Sequence, residues 1–314
     1  MKKLERVKTK LNTFRKDFWK KRVLWLMISP TLLFFIVFAY IPMPGAYIAF
    51  VDYNISKGIF GSNFVGLKNF EFLSRTGDLW RITKNTLLYN LAFMLTGILF
   101  EVGLAVMISE LKARWFKRIS QSVILLPHFI SMVIVGFFAY NLFNYNYGFF
   151  NTILTNLGFA KHEFYSDQGI WKYIIVAFNT WSSTGYGMIV YLAAITGIDT
   201  EIYEAAALDG VSPWQRIRYL TLPLLKPTIV MLFLFGLGGI LNGSFDLFYN
   251  LIGNNSVLFP QTDIIDTYVF RALVGQFNLP LSGAAGFYQS VFGLIFVLTV
   301  NAVVKKLEPD YALF

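Results

Sequence analysis

Residues 23–50 read VLWLMISPTLLFFIVFAYIPMPGAYIAF, 28 consecutive positions without one Asp, Glu, Lys or Arg. A helix crossing the roughly 30 Å hydrocarbon layer of a bilayer needs only about 20 apolar residues, so this stretch can cross once with chain to spare. Pro42 and Pro44 remove backbone donors and predict that the helix ends near Ile41, the remainder continuing as an irregular segment. Five further runs, 86–108, 119–143, 171–196, 227–249 and 284–304, contain at most one charged residue each. The pattern predicts an all-α, polytopic membrane protein of six transmembrane helices, in which membrane lipid is the principal solvent.

Composition agrees. The chain has 314 residues, 56% of them hydrophobic and 18% aromatic, and only 14% are charged, against roughly a quarter in soluble domains. The absence of cysteine excludes disulfides, thiolate chemistry and iron–sulfur clusters. Two histidines, His128 and His162, are too few for a multi-histidine metal centre. The ionisable groups in the interior of the spans are Glu101, His128 and Asp246, too dispersed to form a catalytic motif, so no enzyme is expected.

A net charge of +9 would suggest nucleic acid on a soluble protein, but here position matters more than the sum. Ten of the 27 Lys and Arg residues lie in residues 1–22, read as a basic cytoplasmic segment ahead of a transmembrane domain over 23–314. With that segment inside, the inner connections hold nineteen basic residues and the outer ones eight, which agrees with the positive-inside rule. Six spans then leave both termini in the cytoplasm. The outer connections are aromatic, as in Tyr145-Asn-Tyr-Gly-Phe-Phe150, and aromatics beside spans ordinarily serve as interfacial anchors.

Residues 199–223 carry more structural punctuation than a connector needs. Asp199 or Thr200 can cap a first helix, and Gly210 supplies the left-handed residue that ends it. Ser212, Pro213 and Gln215 form a capping box that starts a second helix, which is expected to stop before Pro223. Glu204, Ala205 and Ala206 are the expected partner-facing residues, since small side chains allow close approach and the carboxylate offers an ion pair. On these residues alone, a solvated hairpin that merely links two spans is an equal alternative.

The pattern Glu204-Ala-Ala-x-x-Asp209-Gly210, followed by Leu222-Pro223 and Leu224-Leu-Lys-Pro227, resembles the EAA signature of permease subunits in binding-protein-dependent ABC importers. Tyr40-Ile-Pro-Met-Pro-Gly, Asp52-Tyr-Asn54, Gly66-Leu-Lys-Asn-Phe70 and Asp263-Ile-Ile-Asp-Thr-Tyr-Val-Phe270 resemble segments of the carbohydrate branch, especially importers of oligosaccharides or polysaccharide fragments. The resemblance implies a type I importer permease fold in a bacterial cell membrane and a second permease subunit, making a heterodimer. It also implies two cytoplasmic ATPase subunits docked on the hairpin and an extracytoplasmic solute-binding protein. The chain lacks a Gly-x-x-x-x-Gly-Lys-Ser/Thr loop, so ATP and Mg would be used by the ATPase partner and no cofactor is expected here. A channel or receptor-like membrane protein fits the hydropathy equally well but leaves the hairpin unexplained.

A saccharide needs aromatic faces and hydrogen-bonding side chains in one cavity. Asn179, Trp181, Ser182, Ser183 and Tyr186 in the fourth run and Asn242, Phe245 and Asp246 in the fifth are the expected path residues, with His128 and Gln289 as further candidates. Helical spacing puts Asn179, Ser182, Ser183 and Tyr186 on one face, and Asn242 with Asp246 on another. The alternative use of such residues is hydrogen bonding between helices.

Overall fold

The computed structural model describes residues 20–307; nearly all of the basic segment 1–22, and the last seven residues, lie outside the described residues. The first apolar run forms α1 (Arg22–Phe35), a π-helical turn over Ile36–Tyr40 and a 3-10 segment over Met43–Phe50. The change of helix type falls where Pro42 and Pro44 remove donors. No residue of α1 is buried against the rest of the chain. A two-residue ribbon follows, Val51–Asp52 antiparallel to Asn63–Phe64. Ser62 closes it, its Oγ accepting from Asn54 N at 2.9 Å and donating to the Gly58 carbonyl at 2.6 Å, while Asn69 Nδ2 donates to the Ala49 and Val51 carbonyls.

Beyond the ribbon come α2 (Lys68–Arg75), α3 (Asp78–Ser109), α4 (Arg114–Leu125), α5 (Met132–Phe143), α6 (Phe149–Asn156) and α7 (Gln168–Thr196). The short α8 (Thr200–Leu208) leads to α9 (Pro213–Leu237), then α10 (Phe245–Ile252), α11 (Ile265–Phe270) and α12 (Leu279–Leu307). Among the described residues four helices are long and apolar enough to cross a bilayer, Arg22–Phe50, Asp78–Ser109, Pro213–Leu237 and Leu279–Lys306, and α4 with α5 would make a fifth. The 29-residue α7 is as long as these but more polar, since it carries the Asn179–Tyr186 cluster.

Two expected spans are altered. The run 119–143 bends by 93° between α4 and α5. Pro127 ends the α-helix in a 3-10 turn over Leu126–Phe129, and Ser131 starts the next helix as its N-cap. The run 227–249 is two pieces, because α9 stops at Leu237 and α10 begins at Phe245, with Gly238 and Gly239 opening the interval. Asn242 and Asp246 therefore do not share a helix face. Nor does the second hairpin helix stop before Pro223: it runs through a π turn over Ile217–Thr221 into the long helix. The Leu222 N–H bonds to the Ile217 carbonyl, and Pro223 falls at the start of the renewed α-helix, where a missing donor matters least.

α3 and α7 lie side by side as the central pair. Close crossings depend on glycine: a Cβ at Gly185 of α7 would collide with the Ile124 carbonyl and stand 2.7 Å from Leu125 Cα of α4. Three apolar clusters fill the interior. One joins Phe143, Trp171 and Phe248 at the loop end, a second joins Ala49, Ile265 and Ala284 along α12, and a third joins Ile108, Met188 and Leu225 toward the hairpin.

Candidate functional site

The hairpin is a fixed body. Asp199 caps α8 through Glu201 N at 3.0 Å. Its other end closes with Gly210 at φ 74°, so that Val211 N reaches the Ala206 carbonyl at 3.1 Å and Gly210 N the Ala207 carbonyl at 3.2 Å. Ser212 and Gln215 form the reciprocal capping box, with bonds of 2.9 and 3.3 Å. Two ties then bind the hairpin to the membrane helices. Tyr203 Oη lies 3.2 Å from Oγ1 of the buried Thr221 in the π turn, and Arg216 is ion-paired with Glu110 at the end of α3. Glu204, Ala205, Ala207 and Asp209 are exposed, and Leu208 stands at 89% exposure on the tip. Ala206 departs from expectation, being only 9% exposed; it packs against the chain and does not face outward.

A second feature lies in the break between α9 and α10. About 24 Å of helix separates Leu222 from it, at 1.5 Å per residue over 16 residues. Its backbone is satisfied from three neighbouring helices. Asn90 of α3 donates to the Ile240 and Asn242 carbonyls at 2.8 and 3.1 Å, Gln289 of α12 donates to the Leu241 carbonyl at 2.8 Å, and Asp266 of α11 accepts from Gly243 N at 2.7 Å. Irregular backbone at membrane depth survives where protein or a water-filled cavity satisfies it. A cavity of about 230 Å³ adjoins the break, lined by Gly239, Asn242, Gln289 and Ser290 among others. A larger groove of about 890 Å³ runs between α3, α4 and α7, but Leu88, Phe100, Leu104, Val123 and Val176 make its walls mostly hydrocarbon.

Residues 94–311 match the family described as "Binding-protein-dependent transport system inner membrane component". The chain belongs to this family. It is 33% identical to the protein LplB of Bacillus subtilis (strain 168) over 94% of this chain and 91% of that one. It is 35% identical to the polygalacturonan/rhamnogalacturonan transport system permease protein YteP of the same organism, over 93% and 90%. In structure it resembles a chain of a bacterial ABC transporter involved in import of the acidic polysaccharide alginate, with a TM-score of 0.83 and 31% identity over 94% of this chain and 99% of that one. The same kind of transporter in complex with an alginate pentasaccharide-bound periplasmic protein gives a TM-score of 0.82, at 31% identity over 93% and 97%. The protein thus has the type I permease fold and is a membrane-spanning component of a binding-protein-dependent ABC transporter.

The permease does not gather the ten expected path residues into one place. Tyr186 and His128, far apart in sequence, stack with ring centroids 5.0 Å apart and planes 18° from parallel, and Tyr186 is 60% exposed. Asn242 and Gln289 share the small cavity, whereas Trp181 lines the apolar groove. Asn179 is half-buried, and its carbonyl accepts from Ser183 Oγ at 2.8 Å and Ser182 Oγ at 3.1 Å. Ser182, only 4% exposed, is a correction: it faces the interior of the bundle with its hydroxyl bonded to its own helix. Phe245 is packed between Tyr249 and Phe270 at 5.3 and 4.9 Å, and Asp246 is exposed at the start of α10. Leu222 and Pro223 are exposed on α9, directly after the π turn. Sequence reasoning missed Leu208, Asp266 and Ser290. A leucine beside Asp209-Gly210 at a helix end was the available signal for the first, and the second of the two carboxylates in 263–270 for the second.

Proposed function

We propose that this permease is one of two unlike permease subunits of an ATP-driven importer that carries an oligosaccharide, such as a fragment of an acidic polysaccharide, across the bacterial cell membrane. The hairpin faces the cytoplasm, where an ATPase subunit receives Leu208, Ala205 and Glu204 and hydrolyses MgATP. A second ATPase subunit serves the other permease. The tied hairpin is the observation that carries this reading, because a connector needs neither a left-handed glycine lock nor two links to the helices behind it. Closure of the ATPase pair would move α8 and α9 as one lever, and the helices would alternate between inward-open and outward-open arrangements. The aromatic loops at the opposite end face outward and meet a solute-binding protein. Asn242, Gln289 and Ser290 offer hydroxyl partners, and the Tyr186 ring offers a stacking face. The saccharide names of the relatives and of the structural neighbours support the substrate class.

Sidedness is tested by single cysteines in this cysteine-free chain. Asn156→Cys and Asn254→Cys, both exposed at the loop end, are expected to react with an impermeant maleimide added to intact cells. Ser212→Cys in the hairpin should react only once the membrane is opened. Labelling of Ser212→Cys from outside would reverse the sidedness and remove the ATPase from the hairpin.

A further inference from the structure

The break between α9 and α10 has more holding it than its length requires. Asp266 Oδ2 accepts from Gly243 N at 2.7 Å, and Gln289 Nε2 lies 3.3 and 3.2 Å from the two oxygens of the same carboxylate. Through its other contact, 2.8 Å to the Leu241 carbonyl, Gln289 ties the carboxylate to the turn a second time. Gly243 is fitted to this arrangement: a Cβ there would overlap Ile264 Cδ1 and stand 2.6 Å from Asp266 Oδ2. Between Leu241 and Gly243, the positions that Gln289 and Asp266 grip, lies Asn242; its carbonyl is also held by Asn90 at 3.1 Å, while its exposed side chain lines the cavity with Gln289 and Ser290. Covering a carboxylate among helices is costly unless its hydrogen bonds are used, and those of the half-buried Asp266 go to Gly243 N in the loop and to Gln289, which is itself bonded to the loop.

We propose that Asp266 is a positioning residue for solute recognition: it holds the turn on both sides of Asn242 and thereby aims the Asn242 amide, with the side chain of Gln289, into the cavity. The proposal rests on the reading that this cavity belongs to the solute path. Asp266 does not itself contact solute. A peptide turn in a membrane bundle has several ways to satisfy its groups, and a carboxylate anchored on a separate helix selects one of them.

The test uses the assembled transporter in proteoliposomes, with Asn242→Cys and Ser290→Cys as separate probes of the same cavity. Both are expected to react with a small water-soluble methanethiosulfonate. Asp266→Ala should change the rate at Asn242→Cys by about tenfold, the scale of the one charge-assisted hydrogen bond that it removes from the turn, and leave Ser290→Cys on α12 as it was. Asp266→Asn, which keeps one acceptor for Gly243 N, should fall between wild type and Asp266→Ala. It carries the test if the alanine variant does not assemble. Equal rates at Asn242→Cys in all three backgrounds would overturn the positioning role while leaving the path reading intact. Silence of both cysteines in the unmodified background would overturn the path reading instead. In uptake of a labelled galacturonate trisaccharide, Asn242→Ala and Asp266→Ala should each raise the apparent KM, and the double variant should be no worse than either. Additive KM effects would also overturn the proposal.

Discussion

Gly210→Val is expected to abolish ATP-driven uptake while the chain still inserts and keeps its fold. The residue sits at φ 74° with no atom within 4 Å of the position a Cβ would take, so the requirement for glycine lies in the backbone and not in space. A β-branched residue in the left-handed region costs on the order of 1–2 kcal/mol. The hairpin can escape that cost by abandoning the two bonds that end α8, from Val211 N to the Ala206 carbonyl and from Gly210 N to the Ala207 carbonyl. Either response shifts Leu208 and Glu204 relative to Ser212 and the ties behind it. A docking surface displaced by about 1 Å loses on the order of a hundredfold in function, so uptake and solute-stimulated ATP hydrolysis should fall together. Thermal stability of the purified permease should change little, because Gly210 and α8 lie outside the three apolar clusters. Gly210→Asn, which tolerates the left-handed region better, should retain more uptake than Gly210→Val. Equal loss in both would point to a role for Gly210 other than its backbone conformation.

The largest stability effect belongs to Gly185→Val. The obstacle there is backbone, the Ile124 carbonyl and Leu125 Cα, and backbone cannot turn aside as a side chain can. Overpacking of this kind costs about 3 kcal/mol or more when nothing yields, and it would pry α4 from α7 next to the Tyr186–His128 stack. The expected outcome is a sharply lowered unfolding temperature in detergent and poor recovery of the assembled transporter. Gly103→Ala is the control: it lies mid-helix on α3 with nothing within 4 Å, and should be neutral or gain about 0.5–1 kcal/mol. Unfolding at the same temperature in Gly185→Val and Gly103→Ala would show that the crossing of α4 and α7 has room for a side chain at Gly185.

Most of the membrane architecture was legible because hydropathy over about 20 residues is set by the bilayer, a solvent the sequence must match run by run. The hairpin was legible for a different reason: Asp199, Gly210, Ser212 and Gln215 act on backbone groups within a few residues, so their spacing alone predicts the geometry. Reading failed where apolarity continued across a change of direction. The segment around Pro127 and Ser131 stays hydrophobic through its bend, and the Gly238–Gly239 interval stays hydrophobic through its break, so a hydropathy average runs straight across both. Pro223 misled in the opposite sense, since a π turn absorbed it and the helix went on. The solute path was least legible. Ser182 and Ser183 look alike in the sequence, yet tertiary packing buries the first and leaves the second only partly covered. The carboxylate that organises the break, Asp266, lies 23 residues from Gly243 along the chain.

A permease coupled to ATP hydrolysis concentrates its solute, whereas a pore only equilibrates it. The two are separated by accumulation of a labelled acidic oligosaccharide in proteoliposomes that contain the full transporter, with solute-binding protein outside and MgATP trapped inside. Accumulation above the outside concentration is expected, dependent on both ATP and the binding protein and absent in Gly210→Val. Equilibration to the outside concentration without ATP, at the same rate in Gly210→Val, would contradict coupling.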